Sequence, residues 1–370
     1  MKQSIRKPKS PTRSIKIRKT DRVTIGMDLG DKTSRYCALN GAGEVLVEGA
    51  CATTKKGMAQ VFGAMAHCRI AIEVGTHSPW VSRELNRYGH EVIVANARQV
   101  KLISQSSRKN DKVDARMLAR LARVDTELLR PIRHRGEAAQ QDLMTIRIRA
   151  ALVEARTQLV NAARGLAKAA GERLGSCDAD QMGVEKLKDL PAGLGETLRP
   201  LLEQVESLTE KIKGCDRTIE QIARQRYPET ELLRQVHGVG TLIALTFILT
   251  IEDQKRFEKS RDVGCYLGLR PKQSESGERQ PELRITKEGD IYLRKLLVQG
   301  AHCLMAQRAP DSDLKRWGRK LAGRGGKNAR KRAVVAVGRK LAILLHHLWA
   351  SGEVYEPLRN TRQSLTAAAA

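Results

Sequence analysis

Aromatic residues are scarce in this sequence: Phe, Trp and Tyr make up 3% of 370 residues. A module that reads single-stranded nucleic acid mainly by stacking bases on aromatic rings would need more. Long apolar runs are also missing. The longest, Val239 to Ile251, falls short of the roughly 20 residues that a membrane-spanning helix takes, so no membrane partner is expected. The seven cysteines (Cys37, Cys51, Cys68, Cys177, Cys215, Cys265 and Cys303) are odd in number, widely spaced and form no Cys-x-x-Cys pair. That excludes a disulfide framework and a zinc ribbon; they read as buried thiols in a reducing cytosol. No carboxylate precedes Asp21, and no apolar stretch follows that would serve as the core of an export signal. Residues 1–21 therefore read as a basic flexible tail that adds nonspecific phosphate contacts.

What is present is positive charge. Lys and Arg total 67 against 41 Asp and Glu, a formal charge of +26. Apolar residues still make up 41% and fall in periodic runs, so the chain folds. Its length suits two or three domains of about 150 residues each. A strongly basic folded chain implies a polyanionic partner, most often nucleic acid. A membrane surface or a ribosomal scaffold would bring the same charge, so charge names a class of partner and no reaction.

The pattern divides the chain into three parts. From Arg22, short β-rich runs at 23–27, 34–39 and 44–50 predict a three-strand meander. A helix at 56–68, a strand at 69–74, a helix at 78–88 ended by Gly89 and a strand at 91–95 follow. Meander first and α/β units after predict a mixed α/β sheet domain over 22–136. Residues 137–228 have helical period throughout, seen at Leu143, Ile146, Ala150 and Val153 and again at Leu201, Val205, Leu208 and Ile212. With a break at Pro191-Ala192-Gly193-Leu194-Gly195, they predict two long helices paired as a hairpin or coiled coil; an internal bundle is the plainer alternative. Residues 229–356 form a mostly helical third region, with helices near 242–249, 291–307 and 329–349 and a glycine-punctuated stretch at 264–289. A second flexible tail closes the chain at 357–370.

Four carboxylates carry the sharpest chemical signal. Asp28 ends the first predicted strand, Glu73 ends another, and Asp111 and Asp114 open a helix. Their i, i+3 spacing puts Asp111 and Asp114 on one helix face. Gathering such like charges requires cations, and Mg²⁺ (with Mn²⁺ as a substitute) prefers hard oxygen ligands while keeping positions open for phosphate oxygens. Two such ions stabilise both the attacking and the leaving oxygen at phosphorus. Taken singly, each acid has a plainer reading: Asp111 as a helix cap, Glu73 as a surface acid.

Two further signals lie downstream. Val236-His237-Gly238-Val239-Gly240-Thr241 before an apolar helix offers backbone N–H groups to a phosphate and resembles the hairpin of helix-hairpin-helix DNA-binding modules. A plain tight turn is the alternative. The stretch Gly268-Leu269-Arg270-Pro271, Ser274-Glu275-Ser276-Gly277 and Ile285-Thr286-Lys287-Glu288-Gly289, then Leu293-Arg294, puts serines on a basic loop. A serine there is a poor nucleophile unless its deprotonation is assisted. Basic residues close the region: Arg324, Lys327, Arg330 and Lys331 head the last helix and suit a surface that tracks a phosphate backbone.

Taken in order, Gly26-Met27-Asp28, Ile72-Glu73 with Gly75 and Ser78, Asn110-Asp111 with Asp114-Ala115, and the Gly268-to-Arg294 stretch resemble the insertion-sequence 110 family of transposases. These are the DEDD transposases, related to the pilin-gene inverting recombinases. The resemblance spans about 23–355. It implies a RuvC-like (RNase H-type) domain, a coiled-coil connector and a C-terminal transposase domain. It also implies that Asp28, Glu73, Asp111 and Asp114 bind Mg²⁺ and that Ser276 attacks DNA covalently. The implied partners are double-stranded DNA at element ends and target, a structured guide RNA, and further copies of the chain in a dimer or tetramer. Nucleic acid would meet His237, Gly238, Gly240, Lys287, Arg294, Arg324, Lys327, Arg330 and Lys331, in the bacterial cytosol and at the nucleoid. Two competing functions remain open on the residues: a RuvC-like nuclease that cuts branched DNA with metal-bound water, needing only the four acids, and a non-enzymatic nucleic-acid chaperone whose acids merely cap helices.

Overall fold

The computed structural model describes residues 23–96, 111–273 and 283–361. The chain divides into two compact units, 1–135 and 136–370.

The first unit is built on a five-stranded mixed sheet in the order β3-β2-β1-β4-β5. Strands β1 (Thr24–Asp28), β2 (Thr33–Leu39) and β3 (Val45–Ala52) form the antiparallel meander. Strands β4 (Arg69–Glu73) and β5 (Glu91–Ala95) continue it in parallel with β1. Helix α1 (Lys55–Phe62) is capped by Thr54, whose hydroxyl accepts from Gly57 N–H at 3.1 Å. It ends six residues earlier than the apolar pattern predicts, at Gly63, whose Cβ position would fall 2.6 Å from the Ala59 carbonyl oxygen. Helix α2 (Ser78–Arg87) joins β4 to β5. Ile25, Met27, Ile70, Ile72, Met58, Phe62, Val81 and Leu85 make the core on one side of the sheet.

Helix α3 (Asp111–Val124) covers the other side through Ala115, Leu118, Ala119 and Ala122. It lies so close to β1 that a Cβ at Gly26 would stand 2.1 Å from the Ala115 carbonyl oxygen and 2.3 Å from the Ala119 nitrogen. This contact needs the one residue type without a side chain.

The second unit is helical. Helices α4 (Glu137–Ala169) and α5 (Ala192–Arg226) pair side by side. Arg149 pairs with Asp216, Arg156 donates to Thr209, and Arg226 pairs with Asp142, so the partners run in opposite directions along the two helices. The break between them occupies residues 170–191, and the stretch from Ala192 is already helical. The sequence reading put the break at 191–195; the chain turns earlier because Gly171 adopts φ +84°. Asp142, 3% exposed, accepts from the Tyr227 hydroxyl at 2.8 Å and pairs with Arg226, which is half exposed. Breaking a buried pair costs about 3–5 kcal/mol. With Arg226 half solvated, Arg226→Ala is expected to cost roughly 2 kcal/mol, read as a lower urea midpoint with an unchanged m-value.

Helices α6 (Thr230–Arg234), α7 (Thr241–Ile251), α8 (Ser260–Tyr266), α9 (Ile291–Met305), α10 (Asp313–Ala322) and α11 (Ala329–Ser351) enclose the largest apolar core. Helix α11 is long and apolar enough to cross a membrane by length and composition. Here its Val334, Val337, Leu341 and Leu345 pack into that core, while Arg330, Lys331 and Arg332 are exposed. All seven cysteines are free. Cys37, Cys51 and Cys68 are buried, and burial pushes the Cys51 and Cys68 thiols up to about 11 and about 12. Of the others, all expected to be buried, Cys177, Cys215 and Cys265 are half-buried and Cys303 is exposed.

Candidate functional site

Parallel pairing of β1 and β4, with Met27 opposite Ile72, ends both strands at the same edge of the sheet. Asp28 and Glu73 are therefore last residues of neighbouring strands. Across the antiparallel pair, Arg35 on β2 is the register partner of Asp28, so a guanidinium-bearing residue shares the acid's face of the sheet.

The direction of α3 follows from one hydrogen bond. Arg69, at the start of β4, donates from Nη1 to the Ala122 carbonyl at 3.2 Å. The last turn of α3 thus lies at the beginning of the parallel strands. The helix then runs antiparallel to β1, and its first turn heads toward the edge that carries Asp28 and Glu73. By helical spacing Asp114 continues the row of Ala115, Leu118 and Ala122 that faces the sheet. Asp28, Glu73 and Asp114 are each half-buried; the side chain of Asp111 lies outside the described residues. Among the described residues, no three His, Cys, Asp or Glu side chains are close enough to hold one metal ion. The fold brings the acid-bearing backbone to one edge, and the donor set is all hard oxygen, which suits a divalent cation such as Mg²⁺ or Mn²⁺.

Both loops at this edge are tightly fixed. After β1, Thr53 Oγ donates to the Gly30 carbonyl at 2.8 Å and pairs with Ser34 Oγ at 2.8 Å. After β4, the buried Ser78 hydroxyl accepts from Gly75 N–H at 2.9 Å and donates to the Gly75 carbonyl at 2.8 Å. These loops carry a group that the sequence reading passed over. Trp80 Nε1–H donates to His77 Nδ1 at 3.1 Å, and His77 Nε2 stands 3.5 Å from Asp31. The signal available was a His and a Trp three residues apart, just after an acid-ended strand.

In the second unit, Gly268 (φ +66°) and Gly289 (φ +77°) are pressed against backbone; Cβ atoms there would lie 2.1 Å from the Glu288 and Tyr266 carbonyl oxygens. The segments between them pair through Lys272 N–H to Arg284 O and Thr286 N–H to Arg270 O, both 2.9 Å. Ser274 and Ser276 lie outside the described residues. Arg294 donates from Nη1 to the Leu267 and Glu288 carbonyls at 2.9 and 2.8 Å; burial pulls its pKa down. It holds the base of this loop. Lys287 is exposed with φ +60°.

The two glycines of the 236–241 turn serve different ends. Gly238 (φ +83°) lies against the Gly300 carbonyl, 2.7 Å from where a Cβ would be, whereas Gly240 caps α7 in extended backbone with open space around it. His237 is exposed. Arg324, Lys327, Arg330 and Lys331 are all exposed, on a turn made by Gly325 (φ +78°), Gly326 (φ +87°) and Asn328 (φ +70°) and on the first turn of α11.

An acid-edged mixed α/β sheet together with a basic helical unit describes an enzyme that acts on nucleic acid, and the comparisons narrow it. A family model described as "Transposase", that of the DEDD transposases of IS110, matches residues 25–170. A second, "Transposase IS116/IS110/IS902 family", matches residues 230–316. The chain belongs to the insertion-sequence 110 family of transposases and is an enzyme that acts on DNA. Among its relatives, the "Probable family 20 transposase" of Pseudomonas aeruginosa is 29% identical over 80% of this chain and 88% of its own length. The transposase for insertion sequence element IS1111A of Coxiella burnetii is 27% identical over 90% of each chain. The transposase for insertion sequence element IS1328 of Yersinia enterocolitica is 26% identical over 76% of this chain and 83% of its own.

Proposed function

We propose that this transposase excises and inserts its own element through a covalent serine–DNA intermediate, with Asp28, Glu73, Asp111 and Asp114 holding divalent metal. The observation that carries the reading is the parallel β1–β4 pair ending in Asp28 and Glu73, with α3 running toward the same edge. When bound there, Mg²⁺ or Mn²⁺ would neutralise negative charge on the phosphodiester. The chain's own acids orient that charge, and the tight loops at Gly30 and Gly75 hold the two strand ends in place.

Ser276 supplies the nucleophile in this reading. Its Oγ–P bond forms as one P–O bond of the DNA backbone breaks, the serine proton leaves to solvent or a base, and a deoxyribose hydroxyl is released. That hydroxyl, or one on the target strand, later attacks the phosphoserine and regenerates the serine. Bond energy is kept for rejoining.

The domains are a RuvC-like DEDD domain at 22–136, a coiled-coil connector at 137–228 and a transposase domain at 229–356. The basic residues at Lys287 and 324–331, with the turn at 237–240, meet phosphates. A charge of +26 suits a protein that holds a structured guide RNA together with donor and target DNA as a dimer or tetramer in the bacterial cytosol.

The test expresses the chain beside its native element and recovers DNA ends after SDS treatment. Wild type is expected to leave protein joined to DNA, and Ser276→Ala to leave none while still binding DNA. Cut ends with free phosphates, indifferent to Ser276 and lost in Asp28→Ala, would replace this mechanism with a hydrolytic nuclease.

A further inference from the structure

At the edge of the sheet that carries Asp28 and Glu73, one imidazole has its proton fixed in place and, among the described residues, meets only Asp31, at 3.5 Å. Trp80 Nε1–H is a donor only, so its 3.1 Å contact makes His77 Nδ1 the acceptor. In the neutral ring the proton then sits on Nε2. The Trp80 ring stands edge-on to the imidazole at 88°, with centroids 6.2 Å apart, so packing and hydrogen bond fix the same orientation. Nε2 faces Asp31 at 3.5 Å, beyond the range of a good N–H···O bond. The Asp31 side chain is 88% exposed and that of His77 28%. A solvated carboxylate at that distance holds the imidazole weakly. Asp31 and His77 lie on the loops that directly follow Asp28 and Glu73. The first turn of α2 adds no acidic side chain.

We propose that His77 donates from Nε2–H to a non-bridging phosphodiester oxygen of the DNA strand bound at this edge, taking it in exchange for Asp31. This role rests on the reading that the acidic edge receives DNA. A phosphodiester oxygen is a stronger acceptor than solvated Asp31 at 3.5 Å, because the bond it forms is short and charge-assisted. Trp80 is then a positioning residue: it keeps the donor on Nε2, where the strand passes, rather than on Nδ1. In the competing reading, the ring merely packs on Trp80 and closes the turn between β4 and α2.

The experiment measures excision of the native element from a plasmid for His77→Ala, His77→Gln, Trp80→Phe and Asp28→Ala, together with the thermal midpoint of each purified protein. A lost hydrogen bond to a charged group corresponds to about a tenfold or larger loss, and this is expected of His77→Ala without a matching drop in midpoint. Gln keeps an N–H donor near the Nε2 position, so His77→Gln is expected to recover most of that loss. Trp80→Phe keeps a packed ring and frees the tautomer, for a smaller loss of about threefold. In ¹⁵N NMR of the free wild-type protein, Nδ1 of His77 is expected to appear as the unprotonated ring nitrogen. Full excision by His77→Ala overturns this role, as does a Gln variant no better than Ala. If Asp28→Ala also excises normally, the acidic-edge reading itself has failed; if Asp28→Ala is inactive and His77→Ala is not, only the His77 role has.

Discussion

Asp28→Ala is expected to abolish excision, by at least about 10³-fold, while leaving the fold intact. Asp28 ends β1 beside Glu73, with the first turn of α3 heading to the same edge. In metal-free buffer the comparison sets only a baseline, because Arg35 is the register partner of Asp28 and shares its face of the sheet. The two proteins are expected to separate in their response to Mg²⁺. An ion that binds only the folded state stabilises it by mass action, about 2.7 kcal/mol at a hundred times its dissociation constant. Wild type gains that increment and Asp28→Ala loses most of it. Differential scanning of both proteins across a Mg²⁺ titration reads this without any DNA. Equal responses to Mg²⁺ would remove Asp28 from the metal site, and an active Asp28→Ala would remove it from the reaction.

Gly26→Ala is expected to be the most damaging single-methyl change in the first unit. The added Cβ would fall 2.1 Å from the Ala115 carbonyl oxygen and 2.3 Å from the Ala119 nitrogen. Both are helix backbone atoms that cannot swing aside, so α3 has to move off the sheet. Overpacking costs typically about 1–3 kcal/mol, and the upper end is expected here, a fall in midpoint of about 10 °C. Excision is expected to fall further than stability explains. The same helix carries Asp111 and Asp114, and a displacement of about 1 Å at a reacting centre costs about a hundredfold. A variant with normal midpoint and normal excision would mean that α3 does not pack on β1 as described.

Much of the first unit was legible from local pattern. The meander, the strands at 69–73 and 91–95 and the helix at 78–87 follow from β-rich runs bounded by glycine and from helical spacing. Other features depend on distant contacts. Helix α1 stops at Phe62 although apolar residues continue to Met65 and Cys68, which pack from a loop. The connection between α4 and α5 lies at 170–191 because Gly171 turns the chain, and its Leu174, Met182 and Leu187 fold back onto α4 and α5. Helix α10, with Trp317 packed on the core and Lys340 over its ring at 4.2 Å, is too short and too basic to stand out in the sequence.

The sequence by itself determined the chemistry available: four carboxylates at strand ends and a helix start, serines on a glycine-bounded loop, and an excess of basic residues. Those are properties of residue type and order, and short-range spacing is enough to read them. Only the tertiary structure decided that β1 and β4 pair in parallel, that α3 runs antiparallel to β1 over Gly26, and that His77 meets Trp80 and Asp31 beside the acids. Strand order, helix direction and the approach of His77 to Asp31 are set by contacts between residues tens of positions apart, and local pattern does not encode such contacts.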